Sequence, residues 1–194
     1  MRFIQNLLPL MEQASSLRRV ISVGGGGHEG KLDQTDYQAR RIPVPDLREH
    51  LTTLVTLCLE ALSKTAPEVS FVHDYPGTVK TPLLDNVPPE ALAGVEFVPI
   101  EESGERHLYL ATSARYPSVK EQGNGIPVGD DLEVALGSNG EVGSGMYSVG
   151  QDCESASKDV LKGLAVLREQ GVGDEAWIHT EAEFERIMKL KSDK

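Results

Sequence analysis

Val69-Ser70-Phe71-Val72-His73-Asp74-Tyr75-Pro76-Gly77-Thr78-Val79-Lys80-Thr81-Pro82 decides how the rest of the chain is read. Val69 to His73 is a short, mostly apolar run that predicts a buried strand. The turn Asp74-Tyr75-Pro76-Gly77 stops it, because proline cannot donate to a ladder and glycine tolerates the positive φ of a tight turn. Upstream, Pro43 and Pro45 set the start of a helix, Asp46 supplies a first-turn acid, and the helix is expected to reach Ser63. Its apolar positions, from Leu47 through Leu51, Leu54, Val55, Leu57, Cys58 and Leu59 to Leu62, form a stripe wide enough for burial on more than one side. Before that helix, Leu17–Val23 is rich in β-branched residues and runs into Gly24-Gly25-Gly26-Gly27, as expected of a strand leaving into a loop. Strand, helix, strand is the unit that makes a right-handed crossover between parallel strands, so the fold class is α/β.

Outward from this unit, residues 2–13 carry Phe3, Ile4, Leu7, Leu8, Leu10 and Met11 at helical spacing. Residues 24–44 read as irregular. A further strand is expected at His107–Thr112, between Gly104 and Ser113-Ala114-Arg115. Residues 117–154 are rich in Gly, Asp and Ser, with a hairpin expected from Leu132–Leu136 and Gly145–Val149, turning at Ser138-Asn139-Gly140. Two helices close the chain. One runs over 157–169 with Gly171 as its stop, and the other is announced by the capping box Thr180 and Glu183. We read 1–194 as a single domain, with the sheet in 1–115 and an acidic carboxyl-terminal extension in 116–194.

The chain has 194 residues, 39% hydrophobic and 25% charged, the range of soluble globular domains. Its net charge is −11, and residues 83–154 hold 13 acidic against 3 basic residues, so nucleic acid is not an expected partner. No run is long and apolar enough to cross a bilayer, and no membrane partner is expected. Gln5, Asn6 and Pro9 interrupt the apolar start, which reads poorly as a secretory signal. Cys58 and Cys153 fit no metal or redox spacing, and a reducing, cytoplasmic setting is expected.

Gly25-Gly26-Gly27-His28-Glu29-Gly30-Lys31 nearly spells a phosphate loop, but Leu32 stands where a magnesium-binding hydroxyl is needed. A tightly turned strand exit is the expected reading. No histidine forms a metal-binding pair, and no metal site is expected. His28-Glu29 reads as loop surface and His107 as an ordinary strand residue. His50, early in the crossover helix, and His73, at a strand's carboxyl end, lie nearer to where open α/β sheets collect ligands.

Pro76-Gly77-Thr78-Val79-Lys80-Thr81 resembles the P-G-x-V-x-T segment of short-chain dehydrogenases/reductases. Residues 2–25 resemble the helix and strand that precede that family's catalytic serine, and Gly104–Thr112 resembles its last sheet strand. The glycine-rich exit, the His-Asp-Tyr-Pro-Gly turn and the acidic tail look most like a divergent fungal group tied to secondary metabolism. The resemblance implies a partial Rossmann-like parallel sheet with flanking helices, lacking the amino-terminal cofactor-binding half. It implies an oxidoreductase that uses NADP or NAD on a small-molecule substrate, an organic carbonyl or alcohol. In the family the proline-glycine loop packs on the nicotinamide, which makes Pro76, Gly77, Val79 and Thr81 the cofactor-side residues.

The family's catalytic serine, tyrosine and lysine have no clear counterparts. Aligned on the strand, Gly25 takes the serine position, with Ser22 three residues too early. Counted back from Pro76, Asp46 and His50 take the tyrosine and lysine positions; with an insertion, Pro43 and Leu47 do. Tyr37 and Arg41 have the family's four-residue spacing, but Pro43 and Pro45 separate them from the helix. The catalytic candidates are therefore Tyr37, Arg41, His50 and Ser22, in a degenerate motif. The alternative is a noncatalytic binding or interaction subunit, with a homodimer expected through the open edge of the first strand.

Overall fold

The structure, a computed structural model, describes residues 1–121 and 124–192. Gln122 and Gly123 of the glycine-rich stretch, and the last two residues of the carboxyl-terminal extension, lie outside them. The chain opens with α1 (Arg2–Met11), followed by β1 (Arg19–Val23), α2 (Val44–Thr65) and β2 (Ser70–Asp74). Next come a two-residue β3 (Thr78–Val79), a two-residue β4 (Phe97–Val98), α3 (Ile100–Thr112) and β5 (Met146–Val149), and α4 (Lys158–Glu169) and α5 (Val172–Ser192) close the chain.

The strand-helix-strand reading holds. β1 pairs parallel with β2, Val20 against Phe71 and Ser22 against His73, and α2 is the crossover. β2 in turn pairs parallel with β5, giving the order β1-β2-β5. All residues of β2 and β5 are buried, as expected of parallel strands covered on both faces. Side chains alternate between two layers. On one side Phe71 and Met146 pack with Leu59 and Leu62 of α2, backed by Ile4, Leu8 and Trp177. On the other, Val72, Tyr147 and Val149 pack with Leu110 of α3 and with Tyr116. Fully burying a side chain such as Phe71 contributes about 1.5–3 kcal/mol.

Three expectations are corrected. His107–Thr112 is helical, the last part of α3, and not a strand. Glu101 and Glu102 suit the helix start, and Arg106 bonds back to Glu102 at 2.8 Å. A short apolar run cannot by itself separate the two states. The place of the last sheet strand is taken by β5, from the stretch read as a hairpin in the extension. The turn at Ser138-Asn139-Gly140 does form, but it closes locally, with Leu136 bridging Val142, and Met146–Val149 runs on into the sheet. The last helix starts at Val172, directly after Gly171 at φ +77, so Thr180 lies inside it and donates to the Ala176 carbonyl at 2.8 Å.

Candidate functional site

Because the three strands run the same way, their carboxyl ends share one edge. β1 leaves through Gly24–Gly27, β2 through Tyr75–Gly77 and β5 through Gly150–Glu154. Between these turns lies a cavity of about 440 Å³, walled by Gly27, His28, Tyr75 and residues 150–152 and 154–157. This is where open parallel sheets hold ligands. The His28 ring meets Tyr75 edge-on at 4.7 Å, and the Arg48 guanidinium sits 4.6 Å from the Tyr75 ring centre. Burial first, and Arg48 second, push the His28 pKa down, so its ring faces the cavity uncharged at neutral pH.

The proline-glycine turn adjoins this cavity. Gly77 has φ +77, and an added Cβ would stand 2.5 Å from Val98 and 2.6 Å from Gln151, a residue of the cavity wall. Only glycine fits there. Pro76, Val79 and Thr81 are partly buried, Val79 pairs with Val98 across β3 and β4, and the Thr81 hydroxyl makes no cap bond to the turn that it opens. Tyr75 Oη lies 3.4 Å from Thr78 Oγ1.

Behind the glycine exit runs a buried polar chain. The Gly25 N–H donates to His73 Nε2 (3.2 Å), which leaves the ring hydrogen on Nδ1 to donate to Thr56 Oγ1 (2.8 Å). Thr56 then donates to Glu29 Oε1 (2.6 Å), which also accepts from Ser148, and Ser148 accepts from the Gly27 N–H (2.7 Å). Burial pushes His73 down to about 4 and Glu29 up. The chain ties the loop from β1 to α2, β2 and β5 at once. Gly26 sits so close to the sheet ends that a Cβ would lie 2.1 Å from the His73 carbonyl oxygen. Residues 31–43 form no helix, so the near phosphate loop is a tight strand exit. Glu29, read as loop surface, is 8% exposed.

On the opposite face of β2, Asp74 Oδ2 meets His107 Nε2 at 3.2 Å, while His107 Nδ1 donates to the Ser103 carbonyl at 2.6 Å. Burial raises the Asp74 pKa. Cys153, beside the cavity wall, is pushed up to about 11 by burial, so at neutral pH it is a thiol and a poor nucleophile.

Ser22 lies inside β1 opposite His73, Pro76 and Gly77 follow the end of β2, Val79 pairs in β3 and Thr81 opens the next turn; none of the five lines the carboxyl-edge cavity, and Tyr37 and Arg41 lie elsewhere. Those two line a separate cavity of about 400 Å³ with His179. Tyr37 donates to Glu175 Oε2 (3.3 Å) and packs against the cluster of Leu57, Leu164 and Val172, while Arg41 donates to the Thr35 carbonyl (2.8 Å). His50 is buried; its Nδ1 accepts from the Asp33 N–H (3.2 Å), and its Nε2 has no partner among the described residues. At the serine position, Gly25 supplies only backbone, and Thr52 Oγ1 fills the space of its missing Cβ, 2.2 Å away. Sequence reasoning missed the hydroxyls of Thr52, Thr56 and Ser148. The signal for the first two was polar residues on a helix face that apolar burial claims; Ser148 left none.

The chain is 40% identical over 203 residues to the oxidoreductase AN1596 of Emericella nidulans, an alignment covering 97% of this chain and 59% of that protein. With the oxidoreductase andH of Emericella variicolor it shares 35% identity over 199 residues, covering 96% of this chain and 58% of that protein. With the short-chain dehydrogenase/reductase SAT2 of Stachybotrys chartarum it shares 30% over 203 residues, covering 97% and 56%. The chain is similar to fungal oxidoreductases of the short-chain dehydrogenase/reductase kind. It spans somewhat more than half the length of these curated relatives. No family model matches the chain, and no solved structure does. Its α/β fold, a small parallel sheet flanked by helices, agrees with a partial Rossmann-like domain.

The residues at the carboxyl edge fit one end of the nicotinamide dinucleotide that this kinship implies. The cavity beside His28 and Tyr75 has room for a flat ring, whereas the space at Gly77 is filled by Val98 and Gln151 and none of residues 76–81 lines the cavity. The far wall, with Asp152 and Glu154, does not suit a pyrophosphate. Among the described residues no group of three or more His, Cys, Asp or Glu could hold a metal ion, and no helix is long and apolar enough to cross a membrane.

Proposed function

We propose that this chain carries the nicotinamide-side part of an oxidoreductase of the short-chain dehydrogenase kind, acting in the cytoplasm on a small organic carbonyl or alcohol in secondary-metabolite biosynthesis. The observation that carries the reading is the Pro76–Thr81 turn at the shared edge of parallel β1 and β2, next to an open cavity. On the resemblance, Pro76 and Gly77 would pack on the nicotinamide, and Val79 with Thr81 would hold its carboxamide. A bound nicotinamide would supply the hydride from its reduced form, NADPH or NADH, or take it up in its oxidised form, NADP⁺ or NAD⁺. Of the chain's own groups, Ser22 and His50 are the nearest in sequence position to the family's serine and lysine, so the motif is degenerate and turnover is slow. Calorimetric titration with NADPH and NADH tests the reading. Binding is expected, weakened about tenfold or more by Gly77→Ala, and absence of any heat at millimolar cofactor would overturn it.

A second reading, a noncatalytic interaction subunit, is favoured by one observation. Tyr37 and Arg41, the pair with the family's catalytic spacing, line a cavity that shares no wall residue with the carboxyl-edge cavity. On that reading the cofactor binds without turnover, and the open edge of β1 carries a homodimer. Single-turnover assays with bound cofactor and a panel of ketones separate the two.

A further inference from the structure

Tyr37 and Arg41 share their cavity of about 400 Å³ with Arg40 and His179. Two consecutive residues of a strand point to opposite faces, yet Arg40 and Arg41 line the same cavity, because the chain there is irregular. Asp36 sets its course. One carboxyl oxygen accepts from the Arg40 N–H at 3.1 Å and the other from the Arg41 N–H at 2.7 Å. Ala39, at φ 53, completes the turn in a conformation that a residue with a Cβ rarely adopts. The arrangement that brings the two guanidiniums together is thus held against the local preference of the backbone by a buried carboxylate.

The donors of this wall are accessible and the nearby carboxylates are already engaged. Arg40 is exposed, and its guanidinium makes no hydrogen bond or ion pair among the described residues. The Arg41 side chain is 67% exposed; its Nη2 donates to Thr35, while its Nη1 has no partner among the described residues. Asp36 is turned to the backbone, Glu175 accepts from the Tyr37 hydroxyl, and Glu183, whose charge is felt by Arg40 and His179, accepts from Arg186 at 2.8 Å. On a chain of net charge −11, this wall therefore offers two guanidiniums to an incoming anion. Beside them the rings of Tyr37 and His179 lie 5.3 Å apart and tilted by 37°, a surface for a flat group. We propose that this cavity binds an aromatic phosphate monoester, its phosphate accepting from Arg40 and Arg41 and its ring lying against Tyr37 and His179. One guanidinium fork satisfies the two oxygens of a carboxylate, whereas a phosphate monoester carries close to two charges and three acceptor oxygens and so makes use of both arginines. The volume lies in the range of small-molecule sites, about 300–1,000 Å³.

The experiment is calorimetry on the full chain with phenyl phosphate, inorganic phosphate, benzoate and benzylamine. Phenyl phosphate binds about tenfold or more tightly than inorganic phosphate and than benzoate, and benzylamine binds least. Arg40→Gln and Arg41→Gln each weaken phenyl phosphate about tenfold, and both keep the parent's circular dichroism spectrum because the side chains are exposed. Arg2→Gln, which removes the same charge from an exposed position on α1, leaves the affinity unchanged. His179→Ala brings phenyl phosphate down to the level of inorganic phosphate. Benzoate or benzylamine binding as tightly as phenyl phosphate, equal losses from Arg2→Gln and Arg40→Gln, an affinity untouched by His179→Ala, or no binding of phenyl phosphate at millimolar concentration would each overturn the proposal.

Discussion

His73 is held without charge in the middle of a hydrogen-bonded chain, and this makes the fold sensitive to acid. Burial sets its folded pKa at about 4, against 6.5 for an ordinary histidine, so on acidification the unfolded state takes up the proton first. The stabilisation is complete above pH 6.5 and is lost as the pH falls towards 4, at up to about 1.4 kcal/mol per pH unit. Glu29 and Asp74 act in the opposite sense. Burial raises both, so their share is complete below the ordinary carboxylate range and is lost as the pH rises through their raised folded values. Urea unfolding of the parent and of His73→Gln at about pH 7 and about pH 4.5 checks the histidine. The parent loses stability over that interval, and the variant, weaker at neutral pH, loses about one proton's worth less; parallel losses would contradict the assignment. Gly26 gives a second test at this scale. Gly26→Ala forces a Cβ against the His73 and Val149 carbonyl oxygens and costs about 1–3 kcal/mol, read as a lower urea midpoint.

At the scale of elements, the strand-helix-strand unit was legible because each of its signals agreed: proline and acid at the start of α2, a broad apolar stripe, and proline and glycine after β2. The rest was less so, for physical reasons. β5 is only four residues long and lies in a Gly- and Ser-rich stretch, where a turn signal at Asn139-Gly140 invited an antiparallel partner. Its true partner, β2, is distant in sequence, and nothing local announces a parallel pairing. α3 carries alternating as well as helical apolar spacing near its end, and Gly104, read as a boundary, sits inside it without cost in packing because nothing lies within 4 Å. What fastens α3 to the sheet is a side chain that no local pattern singles out. Arg19 of β1 donates to the carbonyls of Leu110 and Ser113 at the carboxyl end of α3, at 2.7 and 3.0 Å, and to that of Tyr116 at 2.7 Å. A cation there complements the helix dipole and satisfies carbonyls that have no partner in the helix. Arg19→Met takes this donor from the Leu110 and Ser113 carbonyls, while that of Tyr116 keeps the Ser70 hydroxyl, and is expected to cost about 2–4 kcal/mol; denaturation that left the urea midpoint unchanged would show the clamp to be idle.

In the whole molecule, the three exits of the parallel sheet converge on one cavity, and the site expected from sequence divides around it. Tyr75 lines it and Gly77 packs behind its wall residue Gln151, whereas Tyr37 and Arg41 line another cavity because the segment 31–43 is irregular and runs towards α5. A four-residue spacing fixes a shared face only inside a helix, and these two residues are not in one. The other whole-molecule feature is an edge. Among the described residues β1 pairs only with β2, Val23 is 58% exposed, and Phe3 and Leu10 of α1 are 76% and 64% exposed. On the interaction-subunit reading a second copy covers that edge, and Leu10→Lys with Val23→Lys is expected to weaken the dimer about tenfold or more; a parent that sediments as a monomer at high micromolar concentration would contradict it.

Nitrogen-15 amide spectra of the labelled chain during titration with NADPH test the central claim most directly. The account predicts that the largest shifts fall on Gly77, Val79 and Thr81 and on Gly27 and Gly150 across the cavity. Shifts confined to other parts of the chain, with those amides still, would contradict it.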